Sequence, residues 1–297
     1  MANRKILYLL LLLVALVVIA FITKNFNLYN TSSNEPPDRQ AHAVKFYDEK
    51  TFFEGVSRAK KDVTKPDYLV TGGIVPHDLF VNFIIADFFH RLSLQNPKTI
   101  IILGPNHYEK GHFEALTSLY GWNTAFGVVE PDESLTKTLV DKNLVNVDEE
   151  VLPNDHALSA LMPFIKYYMP NTKVVPILLS QKLSKEQSEV LADNLSKLVT
   201  KDIVIVASVD FSHYLTSRQA KEKDEITSEV MREFDYRKLY TLNSDYLDSP
   251  ASIGTLLMVM QRLNTTNMDL LYHTNSGELQ NNNQVETTSY FSILFTE

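Results

Sequence analysis

Apolar positions along the chain follow two different periods. Four short, continuous runs are rich in β-branched residues: Tyr68–Val75 (YLVTGGIV), Thr99–Gly104 (TIIILG), Lys173–Leu179 (KVVPILL) and Asp202–Ser208 (DIVIVAS). Runs of this length predict buried strands. Between them the spacing becomes helical. One helical stretch, His77 to Ser93, follows the first strand. Another, Leu183 to Val199, precedes the fourth, with Ser184 and Gln187 spaced as a capping box. Alternating strands and helices predict a single α/β domain whose central, partly parallel sheet is flanked by helices. In open sheets of that kind, sites form beyond the carboxyl ends of the strands.

The N-terminus departs from both periods. Ile6 to Ile22 is an unbroken apolar run of 17 residues. As a helix it would reach ~26 Å, enough to approach the thickness of a bilayer core. Arg4 and Lys5 precede it and only Lys24 follows closely, which orients the N-terminus to the cytoplasm. The organisation expected is a cytoplasmic N-terminus (1–5), a transmembrane signal anchor (6–22), a linker rich in Asn, Ser and Pro (23–40) and the α/β domain (41–297). The corresponding localisation is the cell membrane, single-pass, with the main domain extracytoplasmic. A cleaved signal peptide is the competing reading of the same run.

Composition narrows the chemistry. A formal net charge of -8 argues against a nucleic-acid partner, which calls for a basic face. The absence of cysteine excludes disulfides, thiolate metal sites and cysteine nucleophiles together. Any metal must be held by nitrogen and oxygen. There is no Walker loop, no G-x-S-x-G elbow and no G-x-G-x-x-G. The segment GPNHYE resembles the Gly-Asn-His-Glu box of metallophosphoesterases, but a proline interrupts it and no Asp-x-His precedes it at the first strand.

Three of the eight histidines fall just beyond predicted strands: His77 in VPHD, His107 in LGPNHY and His213 in ASVDFSHYL. Their shared position predicts a common cleft. Two histidines and one carboxylate with open positions form the facial triad of non-haem Fe(II) sites, and a further histidine can move protons near neutral pH. Asp78, Asp155, Asp210, Asp248 and Glu286 are the candidate carboxylates. Asp78 and Asp210 lie close enough to His77 and His213 to orient an imidazole instead. Asp155 and Asp248 each precede a helical pattern, where an N-cap role competes, and Pro250 suits an early helical position. His90, His112 and His273 are assigned to surface or core.

These segments, in this order, resemble the MEMO family, the B component of the AmmeMemoRadiSam system. The resemblance runs from about His42 to the C-terminus. It is carried by HAVKFYDEKTFFEGV, GGIVPHDLF, IILGPNHYEKG, NDHALSALMPFI, VVPILLS, VASVDFSHYL, SIGTLLMVM and ETTSYFSILF. It implies a fold similar to class III extradiol dioxygenases. It also implies that His77 and His107 bind metal, with Asp248 standing where some members offer a cysteine. His213 matches the acid or base beside the metal, His156 a further cleft histidine and Asp210 its family counterpart. Fe(II) is the metal expected, with Cu or Zn as alternatives. The function implied is an O2-activating oxidoreductase of unknown substrate. The alternatives are a non-catalytic protein that binds a peptide or small ligand in the same cleft, or a partner subunit of radical-SAM and AMMECR-type proteins. Ser159 and Leu161 replace the glutamate and the glutamine or histidine that the family usually turns toward the cleft, so the substrate side is altered.

Overall fold

The computed structural model describes residues 40–60, 63 and 68–297. The strands are β1 (Ala41–Ala43), β2 (Val70–Val75), β3 (Thr99–Pro105), β4 (Ala115–Thr117), β5 (Gly121–Thr124), β6 (Gly127–Val129), β7 (Asn146–Val147), β8 (Lys173–Leu179), β9 (Ile203–Ser208), β10 (Asn267–Asn275) and β11 (Ser289–Thr296). The helices are α1 (Glu49–Arg58), α2 (Asn82–Ser93), α3 (Glu133–Asp141), α4 (His156–Ser159), α5 (Met162–Tyr168), α6 (Lys185–Leu195), α7 (Ser217–Glu233), α8 (Tyr236–Leu239), α9 (Pro250–Leu263) and α10 (Ser276–Leu279). The capping box expected at Ser184 and Gln187 opens α6.

The main sheet has the order β10-β11-β2-β9-β3-β8-β4-β7, and β1-β5-β6 form a smaller one. The four strands expected from the apolar runs are its central, mutually parallel members, β2, β9, β3 and β8. Strands β11 and β10 extend one side antiparallel, so the sheet is mixed. One apolar cluster packs on each face, with Leu191, Leu195, Ile253 and Leu256 on one and Phe88, Phe89, Phe164 and Ile165 on the other. Burial on both faces is why these strands appear as continuous apolar runs without alternation.

The two glycines of GGIVPHD have a packing reason. A Cβ on Gly73 would lie 2.6 Å from Phe88 of α2, and one on Gly72 would lie 2.9 Å from Met260 of α9. Consecutive strand residues point to opposite faces. The pair therefore lets one helix from each layer close onto β2, the strand that ends at His77.

The expectation of a spanning helix is corrected. The run 6–22 lies outside the described residues. Among the described residues no helix is long and apolar enough to cross a membrane. The apolar α9 has 14 residues and reaches ~21 Å, short of the ~30 Å hydrocarbon core. The fold of the described residues is accordingly the α/β domain, and none of its helices spans a membrane. The single-pass, extracytoplasmic localisation built on that helix is withdrawn with it.

Candidate metal centre

Strands β2, β9 and β3 are neighbours, and their carboxyl ends release the chain into three adjacent loops. The first carries His77, the second Asp210 and His213, the third His107. Residues from two helix starts complete the cleft: His156 at α4 and Asp248, just ahead of α9. His77 is buried, with ring centroids 5.0 Å from both His107 and His156. The His107 and His156 rings stack at 4.2 Å and 14°. Ligand-capable atoms of these three histidines lie within 4.8 Å of one another.

Asp248 reaches both of the expected ligand histidines. Its Oδ2 lies 3.3 Å from His77 Nε2 and 3.5 Å from His107 Nε2. The residue is free to do so because it does not cap α9. Ser249 is the N-cap, its hydroxyl accepting from the Ser252 N–H at 3.1 Å. The competing cap role thus belongs one residue further along. The Asp248 Oδ1 is buried without a hydrogen-bond partner.

Each imidazole is oriented from behind. Asp155 does cap α4, accepting from the Ala157 N–H at 3.0 Å. The same carboxylate accepts from His107 Nδ1 at 2.8 Å and from the His107 backbone N–H at 2.8 Å. His107 Nε2 is thereby turned toward Asp248. His77 Nδ1 lies 3.2 Å from Ser208 Oγ, whose own hydrogen goes to the Ala157 carbonyl at 2.5 Å. The serine must accept, which assigns the hydrogen of neutral His77 to Nδ1 and leaves Nε2 a bare lone pair. This lone pair faces Asp248 Oδ2 and, at 3.5 Å, Asp210 Oδ2.

The electrostatics follow from burial and crowding. Burial, then His107, His156 and His213, push His77 well below the usual imidazole range. Burial, then the Asp248 and Asp78 charges, push Asp210 well above the carboxylate range. Burial works against a charge on His107, but the hydrogen bond to Asp155 and the nearby Asp248 carboxylate outweigh it and push the ring up to about 10. Burial and the neighbouring His107 lower His156. Burial also lowers His213, whose Nδ1 is buried without a partner. Asp210 binds inward through both its ends: Oδ1 accepts from the His77 N–H at 3.1 Å, and its own N–H donates to Asp248 Oδ2 at 3.2 Å.

The donor set can be tested against a metal. Two ligands held about 2.1 Å from one ion lie about 3.0–3.4 Å apart. The His77–Asp248 separation of 3.3 Å falls on that edge and the His107–Asp248 separation of 3.5 Å just beyond it, and both exceed the ~2.8 Å of a charge-assisted hydrogen bond. The residues fit a nitrogen- and oxygen-bound ion.

Among the remaining carboxylates, Asp78 accepts from the Tyr290 hydroxyl at 2.6 Å and from the Phe80 N–H, and so anchors the turn after His77. Ser208 and the orienting role of Asp155 were not legible in the sequence. Serine at a strand end is commonplace, and an N-cap already explained Asp155.

The chain belongs to the Memo family: the family described as Memo-like protein matches residues 41–293. A MEMO1 family protein of Sulfurisphaera tokodaii is 30% identical over 234 residues, spanning 75% of this chain and 81% of that one. A MEMO1 family protein of Pyrobaculum aerophilum is 30% identical over 234 residues, spanning 75% and 83%. Among solved structures, an uncharacterized protein of Escherichia coli K12 aligns with a TM-score of 0.52 over 76% of this chain and 99% of its own, at 13% identity. That likeness is one of fold alone.

Proposed function

We propose that this Memo-family chain is a metal-dependent oxidoreductase whose ion is held by His77, His107 and Asp248. The observation that carries the reading is the bare His77 Nε2 facing the Asp248 Oδ2 at 3.3 Å. Lone pairs set against one another in a buried site are unfavourable, and a cation between them turns the repulsion into coordination. Nitrogen and carboxylate donors suit Fe(II), with Cu or Zn as alternatives.

When bound, the ion supplies a Lewis-acidic centre and, as Fe(II) or Cu, redox chemistry with O2 of the kind that the dioxygenase resemblance implies. The chain's own residues do the rest. Asp155 and Ser208 hold the two imidazoles in register. His213, kept neutral by its burial, takes a proton from a substrate at the cleft and returns it. Asp210 fixes Asp248 through its N–H. His156 stacks on His107 and meets Phe46 at a centroid distance of 5.7 Å, lining the side where an organic substrate enters.

A second reading is favoured by one observation. The three clustered imidazoles, His77, His107 and His156, would form an all-nitrogen site of the kind that suits zinc. Metal analysis of the full chain, purified anaerobically beside His77→Ala, Asp248→Ala and His156→Ala, separates the two. Loss of metal in His77→Ala and Asp248→Ala supports the proposed set. Loss in His156→Ala with retention in Asp248→Ala supports the three-histidine set. A wild-type chain that takes up none of Fe, Cu or Zn refutes both and leaves a binding cleft.

A further inference from the structure

Behind the loop that carries Asp210 and His213 lies a fully buried carboxylate with no part in the cleft. Asp224, on α7, is 0% exposed. Its Oδ1 accepts from Ser212 Oγ at 2.7 Å and from Ser289 Oγ at 2.6 Å. Its Oδ2 accepts from His273 Nε2 at 2.9 Å. The His273 ring lies flat on Phe291, centroids 4.1 Å apart at 13°, with its side chain 34% exposed at the edge strand β10.

The loop does not need this carboxylate merely to stay attached. The Phe211 N–H already donates to the Ser289 carbonyl, the Ser289 N–H to the Ser212 carbonyl and the His213 N–H to the Ser244 carbonyl, all at 2.9–3.0 Å. A buried carboxylate is costly unless fully hydrogen-bonded. What it adds is direction, because a single oxygen fixes two serine hydroxyls at one point. Ser212 sits between Asp210, whose N–H holds Asp248, and His213, whose Nδ1 has no partner.

We propose that Asp224 and His273 are a positioning pair that acts through Ser212 to hold Asp210, Asp248 and His213 at the cleft. The hydrogen bond from His273 fixes the carboxylate, and the carboxylate fixes the loop. This inference rests on the metal reading above for one of its two readouts only.

The test uses the full chain loaded with Co(II), reading its visible d–d spectrum, together with amide hydrogen exchange of 209–216. His273→Leu keeps an apolar contact on Phe291 but removes the donor. His273→Gln restores an N–H donor without the ring. Asp224→Asn serves as a third variant if it folds. The expected result is a shifted Co(II) band and about tenfold faster exchange in His273→Leu, with both returning toward wild type in His273→Gln. Wild-type exchange and an unchanged band in His273→Leu would overturn the pair. Equal loss in His273→Gln and His273→Leu would overturn it too, because ring stacking and not the donated hydrogen bond would then be the cause. Should wild type bind no Co(II), the metal reading fails while the exchange readout still decides the pair.

Discussion

Asp155→Asn probes whether the metal centre depends on the carboxylate that orients the His107 imidazole. In the wild type the carboxylate only accepts, so His107 must donate from Nδ1 and present Nε2 to the cleft. Oδ1 accepts from both the Ala157 N–H and His107 Nδ1, and Oδ2 accepts from the His107 N–H, so an asparagine in either orientation sets its amide against a donor. With the amide at the Oδ1 position it would donate to His107 Nδ1, forcing the ring hydrogen onto Nε2, where the ion should bind; with the amide at the Oδ2 position it would oppose the His107 backbone N–H and displace the loop that carries the ring. Loss of an orienting partner of a metal-bound histidine weakens binding by ~10–100-fold, about 1.4–2.7 kcal/mol. The stability cost should be smaller than that of an outright deletion. Asp155→Ala would remove a cap worth ~1 kcal/mol and strand two buried N–H donors at ~1–3 kcal/mol each. The assay is competition between the folded protein and a fluorescent Zn(II) or Co(II) chelator, with thermal melting as the fold control. Affinity within twofold of wild type, in a variant that melts normally, would refute the orienting role of Asp155.

Other outcomes follow from the same geometry. Ser208→Ala leaves the Ala157 carbonyl and His77 Nδ1 without their partner, so chelator competition should show ~10-fold weaker metal binding. Urea unfolding of the same variant should show a loss of ~1–3 kcal/mol. Gly73→Ala drives a methyl against Phe88. Urea unfolding should show a loss of ~1–3 kcal/mol, and no loss would mean that the helix does not close onto β2 as described. Metal affinity should rise with pH. His107 is pushed up to about 10, so below that pH an ion must displace its proton. Each pH unit between 6 and 9 should then strengthen binding by about tenfold. Isothermal titration in buffers of different ionisation heat measures the released proton, and a flat profile would contradict the assignment.

The sheet was legible because its four central strands are buried on both faces and so print as apolar runs with sharp ends. The same ends located His77, His107 and His213. The short strands β4 to β7 were not legible, since stretches of 2–4 residues carry no period. Nor was β10, whose half-exposed pattern at the sheet edge is irregular and interrupted by a register shift between Leu270 and Tyr272. At the site, the ambiguity of Asp248 turned on a single residue. Whether it or Ser249 caps α9 decides whether a carboxylate points inward, and both sequences of events fit the spacing. Ser208, Asp224 and His273 act through contacts 51, 65 and 49 positions away in the chain, which no local pattern records.

The order of the strands has a consequence for the chain during synthesis. Strand β9 lies between β2 and β3, yet it is made about a hundred residues after β3. Until residue 208 has emerged, β2 and β3 have no partner in common, and both present apolar edges of the kind that invite mispairing. His77 and His107 are by then long complete but stand on strands with a gap between them. Asp248 arrives later still. The cleft is therefore assembled by insertion from within, and a nascent chain shorter than about 210 residues is the form that most needs a chaperone.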